Sequence, residues 1–448
     1  MAENHAHVAS IAFPFGSHAA QILNITRRLA RAAPDVTFSF FNTAKSNSSL
    51  FESSNARDDE DSCNIKVYNV DDGVPDNHVF SGNPLEEIDF FIKATPSNFK
   101  KAIEKAVSDT KKKITCVTND AFLWMTGDIA EELGVPWVPV WAPGASSLSS
   151  HFYTDLIRQS IEGPNDEALS FIPGMSSVRS CDLPQEIFGN LESLFAGILH
   201  MAGLKLPSAT AVVVNSFEEL ECSIFEDLKS KLKLCLAVGP LTVVSPSSSN
   251  AEDAYGCLLW LDRQKPASVA YVSFGTSATP PPHELAALAE GLEASGVPFL
   301  WSLKEFAKVN LPEGFLERTS ARGKVVPWTP QSKVLNHAAV ALIVTHCGWN
   351  TVLESIMGGV PIIYRPFFGD HMLIGRFVSN IWEIGINAGN GVFTKQGTMD
   401  ALEIILCKEE GGEMRQKIEI LKEQARHAVG PAGSTTRNFH TLVNIVRS

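Results

Sequence analysis

Short apolar runs alternate with amphipathic stretches along most of the chain. Residues 8–13 read as a buried strand, and a Gly16-Ser17-His18 turn follows. A helix comes next, with Ile22, Ile25 and Leu29 on one face. Residues 36–41 form a strand rich in β-formers. Residues 115–118 form another, leading into a helix from about Ala121 to Leu133 and a strand at 137–140. A further strand lies at 211–214. After a break the alternation restarts: strands at 269–274, 299–302, 342–344 and 360–364, helices at 283–294 and 350–357. Strand–helix–strand repetition of this kind predicts parallel sheets with helices on both faces.

The break is compositional. Ser245-Pro246-Ser247-Ser248-Ser249-Asn250 sits in a stretch that reads as a linker over 244–256. Two doubly wound α/β domains are therefore expected, 1–243 and 257–433, with a cleft between them. Ligands of such sheets bind beyond the carboxyl ends of the strands. The length, 448 residues, suits two domains.

Charge and cysteine content narrow the function. A net charge of −13 disfavours nucleic acid and anionic membranes as partners. The first residues lack a signal-peptide profile, and no apolar run approaches the ~20 residues of a spanning helix. Eight scattered cysteines without a C-x-x-C pair point to free thiols in a reducing compartment, so a cytoplasmic protein is expected.

Candidate chemistry is densest between Trp328 and His371. The strand at 342–344 runs into Thr345-His346-Cys347-Gly348-Trp349-Asn350-Thr351, where a helix begins. The N–H groups of a helix N-terminus suit a diphosphate, and His346 and Asn350 can add donors. Glu354, one turn on, can accept two hydroxyls of a ribose diol. Trp328 is a plate on which a planar base can stack. Taken singly, Trp328 and Trp349 read more naturally as core residues and His346 as a satisfied core histidine; only their co-occurrence changes that. In the N-terminal half, His18 and Asp120 each follow a strand, and together they could form a base and its orienting carboxylate. There is no H-E-x-x-H, G-x-S-x-G, G-x-x-x-x-G-K-[ST] or G-x-G-x-x-G. Asp59-Glu60-Asp61 could imitate a metal-binding D-x-D, but it lies in a polar insertion.

The segment 328–371, W-x-P-Q … H … T-H-C-G-W-N-T … E … G-V-P … P … D-H, resembles the signature box of plant UDP-dependent glycosyltransferases of secondary metabolism. Phe13-Pro14-Phe15-Gly16-Ser17-His18, Ser273-Phe274-Gly275-Thr276 and Gly430-Pro431-Ala432-Gly433-Ser434 extend the likeness. The resemblance implies a GT-B fold of two Rossmann-like domains, with the C-terminal helix (434–448) packing back on the first. It implies that Trp328 stacks on uracil and that Gln331 and Glu354 hold the ribose. His346, Asn350, Thr351 and Ser277 would hold the diphosphate, with Thr276 and Thr329 beside them. Trp349, Asp370 and His371 would contact the sugar. His18 would be the general base and Asp120 its orienter, in an inverting transfer that needs no metal or other cofactor.

Asp72-Gly73-Val74-Pro75 and Arg365-Pro366-Phe367-Phe368-Gly369-Asp370 look most like flavonoid and anthocyanidin 3-O-glycosyltransferases. Phe15, Phe122, His151, Phe188 and Phe368 would then line the acceptor site. The chain departs from the box at Ala341, where Gly is usual, and at His371, where Gln is usual. In the resembling family His at that last position goes with UDP-galactose, so galactose is the expected sugar. A UDP-glucose-dependent enzyme and a non-catalytic flavonoid-binding protein on the same scaffold are the alternatives. A monomer is the expected state.

Overall fold

A computed structural model describes residues 6–51, 64–83, 85–241, 253–276 and 278–448. They form two compact units. The first comprises the described parts of Met1–Glu162, Gln185–Ser245 and Val429–Ser448, the second those of Gly163–Pro184 and Pro246–Ala428.

The first unit is built on a sheet of seven parallel strands among the described residues: β1 (His7–Ile11), β2 (Thr37–Thr43), β3 (Ile65–Val70), β4 (Cys116–Asp120), β5 (Trp137–Trp141), β6 (Val212–Val214) and β7 (Cys235–Ala237). Their order is β3-β2-β1-β4-β5-β6-β7. Every residue of β1, β4 and β5 is buried, because helices cover both faces of a parallel sheet of this kind. The helix His18–Ala32 buries Ile22, Ile25 and Leu29 against Phe38, Phe40 and Val140 in one core.

That core is completed by the end of the chain. The helix Ser434–Arg447 contributes Phe439, Leu442, Val443 and Val446. The Arg28 guanidinium lies 3.8 Å over the Phe439 ring and donates to the Val238 carbonyl; burial brings its pKa down to about 10. Asn438 Nδ2 donates to the Ala237 carbonyl of β7 (3.1 Å), and Thr435 Oγ1 to that of Gly239 (2.9 Å). The helix thus occupies an edge that would otherwise present unpaired backbone groups.

The second unit has six parallel strands among the described residues: β8 (Val269–Ser273), β9 (Phe299–Ser302), β10 (Gly323–Val326), β11 (Val340–Thr345), β12 (Ile362–Tyr364) and β13 (Gly385–Asn387). Their order is β10-β9-β8-β11-β12-β13. Trp301, Leu342, Leu285 and Phe393 belong to its core.

Two sequence readings change here. The single helix expected from Ala121 to Leu133 is a 3₁₀ turn, Ala121–Leu123, followed by an α-helix, Thr126–Leu133. The Asp120 side chain accepts from the Phe122 N–H, which caps the tighter turn and offsets the α-helix from it. The segment Gly163–Pro184, expected within the first domain, groups with the second unit. Its residue Asp182 takes a two-pronged ion pair from Arg376 (2.7 and 3.1 Å). The expected linker at 244–256 lies outside the described residues except for its last four, and so does the acidic run at 58–61. Among the described residues no helix is long and apolar enough to cross a membrane, and seven cysteines are free.

Because Leu442 is 1% exposed in the first unit's core, Leu442→Ala should cost that unit about 2–5 kcal/mol. Urea unfolding should show a lower midpoint for the first unit. An unshifted midpoint would mean that the terminal helix is not part of this core in solution.

Candidate functional site

Each sheet reverses its winding once, and the candidate residues gather at the two reversals. In the first sheet the reversal lies between β1 and β4, where Ile11 pairs with Asn119. Past Ile11 the chain turns through Gly16, whose φ of +61° suits glycine, and His18 opens its helix. Asp120 ends β4 and is 1% exposed. Its Oδ2 lies 2.7 Å from His18 Nδ1, and its Oδ1 accepts from the Phe122 N–H at 3.0 Å. A carboxylate can only accept, so Nδ1 carries a proton, and in the neutral ring Nε2 bears the lone pair. Asn119 steadies the turn: its amide donates to the Asp120 and Leu123 carbonyls, and its oxygen accepts from Trp137 Nε1.

Aromatic rings surround this pair. Phe122 lies 4.6 Å and Phe13 5.4 Å from the His18 ring, centroid to centroid. Phe15 touches Phe13 and Phe91. Phe122 continues to Trp141 (6.1 Å), and Trp141 to His151 (5.7 Å). Burial pushes the His151 pKa down to about 4, so its imidazole is neutral. The helix carrying it, Ala145–Phe152, starts on the buried Glu221 carboxylate, which accepts from the Ala145 and Ser146 N–H groups (2.9 and 2.8 Å).

Phe15, Phe122 and His151 therefore belong to one cluster. Phe188 does not: Arg158 binds the carbonyls on either side of it, at Ile187 and Gly189, and among the described residues no ring contact joins it to the cluster. Phe368 lies in the second unit, 4.7 Å from His371. Phe13, Phe91 and Trp141 are members that the sequence reading missed, hidden among ordinary core aromatics.

In the second sheet the reversal lies between β8 and β11, with Ser273 in register with Thr345. Gly275 follows β8 at φ +65°. A Cβ there would stand 3.0 Å from His346 Cε1, and one at Gly348 only 2.4 Å from His346 Nε2. The imidazole is thus seated where backbone must stay bare. The helix Trp349–Gly358 starts at Gly348 without a side-chain cap, so its N-terminal donors face the same corner. Asn350, Thr351 and Glu354 lie on that helix. Ser277 lies outside the described residues, next to the exposed Thr276.

Gln331 is held from both ends. Its Oε1 accepts from the Tyr271 hydroxyl (3.0 Å), which also bonds Thr329 Oγ1 (2.6 Å). Its Nε2 donates to Glu354 Oε2 (2.7 Å) and Thr351 Oγ1 (3.2 Å). Tyr271, the one residue of β8 with a phenolic hydroxyl, is the orienting group the sequence reading missed. Burial pushes the Glu354 carboxyl up to about 7, against the lowering effect of the Gln331 bond. Trp328 is 45% exposed, as a stacking plate must be.

The last group is Trp349, Asp370 and His371. Trp349 packs against Trp382 at 6.3 Å. Asp370 precedes the helix His371–Arg376. The His371 ring meets that of His346 edge-on at 4.9 Å, and the Phe367 and Phe368 N–H groups point at its Nδ1, each at 3.4 Å. With Nδ1 accepting, the ring proton resides on Nε2. Burial first, then the neighbouring His346, brings the His371 pKa down to about 3; burial brings that of His346 to about 4. Both rings are neutral at physiological pH. Among the described residues no cluster of His, Cys, Asp and Glu could hold a metal ion.

Residues 240–418 match the UDPGT family, described as UDP-glucoronosyl and UDP-glucosyl transferase. The chain is 52% identical to an anthocyanidin 3-O-galactosyltransferase of Rhododendron delavayi, over 98% of this chain and 97% of that one. It is equally, 52%, identical to an anthocyanidin 3-O-glucosyltransferase of Vitis vinifera, with the same coverage of both. The crystal structure of a UDP-glucose: anthocyanidin 3-O-glucosyltransferase in complex with UDP superposes with a TM-score of 0.92, at 44% identity, covering 99% of each chain.

The raised Glu354 pKa has a sign that can be checked. Between the ordinary carboxyl value of 4.5 and about 7, the folded chain holds a proton there that the unfolded chain has released. The stability this gives is complete below 4.5 and is lost as pH rises through about 7. Glu354→Gln removes the effect. Between pH 5 and pH 8 the variant should therefore gain about 1–3 kcal/mol in unfolding free energy relative to wild type. Parallel pH profiles for the two proteins would show that Glu354 is not a buried, raised carboxyl.

Proposed function

The chain belongs to the UDP-glucoronosyl and UDP-glucosyl transferase family, with its GT-B type of fold, and from that premise we propose that it moves a hexose, galactose before glucose, from a UDP-sugar to the 3-hydroxyl of a flavonol or anthocyanidin. The observation that carries the reading is the 2.7 Å bond between His18 Nδ1 and the buried Asp120 carboxylate. It leaves Nε2 as the proton acceptor in an aromatic-lined corner suited to a flat polyphenol.

The proposed course is a single inverting displacement. His18 Nε2 takes the proton of the acceptor hydroxyl as its oxygen attacks the anomeric carbon. Asp120 keeps the ring in the right tautomer and stabilises the imidazolium that forms. The bond from the anomeric carbon to the β-phosphate oxygen breaks, and UDP leaves with its diphosphate against His346 and the N-terminus of Trp349–Gly358, where donors meet the growing negative charge. Trp328 stacks on the uracil, and Gln331 and Glu354 hold the ribose diol. Thr276, Thr329, Ser277, Asn350 and Thr351 complete the donor side, and Trp349, Asp370 and His371 face the sugar. Phe15, Phe122 and His151 receive the acceptor; Phe188 stands apart from that ring cluster, and Phe368 lies beside His371 in the second unit. No metal is required in this scheme.

The preference for galactose rests on His371. A glutamine amide offers a sugar both an acceptor and a donor. His371, with Nδ1 facing two backbone N–H groups, offers a single Nε2–H donor in a fixed plane. Glucose and galactose differ only in the direction of the 4-hydroxyl, so the position of one donor beside the Asp370 acceptor can decide between them. A glucose-preferring enzyme is the second reading, supported by relatives of both kinds at equal identity.

The proposal can be tested directly. His18→Ala should lose about 10²–10⁴-fold in kcat while binding UDP as wild type does, because every UDP partner named lies in the second unit; EDTA should leave the wild-type rate unchanged. A variant retaining most of its rate would remove His18 as the base. Secondly, kcat/KM with a flavonol should favour UDP-galactose over UDP-glucose, and His371→Gln should erase or reverse the ratio. A wild-type preference for UDP-glucose would sink the galactose assignment. A galactose preference that survived His371→Gln would detach it from His371. NMR of the product should locate the sugar on the 3-oxygen with inverted anomeric configuration.

A further inference from the structure

The donor corner of the second unit has a charge problem. Its two imidazoles are neutral, and its carboxyl groups, Glu354 and Asp370, add only negative charge when ionised. Two nearby arginines are spent elsewhere. Arg365 donates to the buried Glu284 carboxylate at 2.6 and 3.1 Å, and Arg376 to Asp182. A diphosphate leaving group there would be met by uncharged donors alone.

One cation reaches the corner by the geometry of the sheet. Ser302 of β9 lies in register with Ser273 of β8. Both chains leave the sheet at the same carboxyl edge, and Lys304 meets Thr276 there: Lys304 Nζ donates to the Thr276 carbonyl at 2.7 Å. Thr276 adjoins Gly275, whose backbone packs on the His346 ring. Among the described residues the one ring facing the ammonium is Phe306, at 5.8 Å, and Lys304 forms no ion pair with any of them. Its charge is therefore uncompensated, and two of its three N–H donors are not used on Thr276.

We infer that Lys304 is a positioning residue for the diphosphate of the sugar donor, holding the Gly275–Thr276 turn against His346 and supplying the positive charge that the neutral histidines do not. This rests on the reading of the second unit as the UDP-sugar site. A flexible ammonium anchored through a carbonyl can keep that bond while its field acts on the phosphates. The charge counts most as UDP departs, when negative charge on the β-phosphate is greatest.

The test is calorimetric titration of the full chain with UDP and with uridine, which shares the base and ribose but lacks phosphate. Lys304→Gln retains a donor for the Thr276 carbonyl and loses the charge; Lys304→Arg keeps both. Lys304→Gln should weaken UDP about three- to thirtyfold, leave uridine unchanged and flatten the salt dependence of UDP binding. Lys304→Arg should stay within about threefold of wild type. Wild-type UDP affinity in Lys304→Gln would overturn the inference. So would equal weakening of UDP and uridine, which would mark a collapsed turn, or Lys304→Arg as weak as Lys304→Gln. A wild-type protein that binds uridine but gains nothing from the phosphates would also overturn it while sparing the nucleoside site; one that binds neither would overturn the donor-site reading itself.

Discussion

A parallel sheet that reverses its winding direction leaves two neighbouring strand ends whose connections part to opposite faces, and no helix can cover the gap. The chemistry of this chain depends on that constraint, met twice. At the first gap, β1 and β4 bring a histidine and an aspartate 102 positions apart in sequence to 2.7 Å. At the second, β8 and β11 bring a glycine turn against an imidazole at the start of a helix. Neither arrangement is local, and neither needs a specialised structure to hold it: the hydrogen-bonded register of the sheets fixes both.

The two gaps are furnished in opposite ways. The first isolates one acid–base pair among rings, with the carboxylate buried and its second oxygen satisfied by a backbone N–H. The second keeps its imidazoles neutral by burial and fastens its polar side chains to one another, from Tyr271 through Gln331 to Glu354. A pre-bonded network of that kind costs little to reorganise when hydroxyls of a ligand replace its internal partners, because its rotamers are already fixed.

Much of this was legible in the sequence. The alternation of apolar strands with amphipathic helices disclosed two parallel sheets; β9 appears residue for residue where the pattern puts it, and the helix Ser434–Arg447 where the resemblance implies one. The edge strands β3, β7, β10 and β13 were missed. They lie away from the sheet centres, where the demand for continuous hydrophobicity relaxes. Site residues carried in a dense motif, from Trp328 to His371, stood out. Those drawn from core-like runs did not: nothing in Val-Ala-Tyr-Val-Ser distinguishes Tyr271 from a packing residue, and Phe13, Phe91 and Trp141 look like any buried aromatic. Lys304 was invisible for another reason, since its partner is a backbone carbonyl reached through strand register. The excursion of Gly163–Pro184 to the second unit could not be read from composition, because the ion pair of Asp182 within that unit is formed with a residue some two hundred positions away.

The helix Ser434–Arg447 has a consequence for the order in which the protein is made. It fills the first unit's core and occupies an edge of its sheet, yet it follows the whole second unit in the chain. The strands of the first unit emerge long before it and must wait, with Val238, Leu241 and the Arg28 side chain unsheltered, while the whole second unit is synthesised. Vectorial folding therefore favours the second unit as the earlier to close, and leaves apolar surface of the nascent first unit uncovered until this helix arrives.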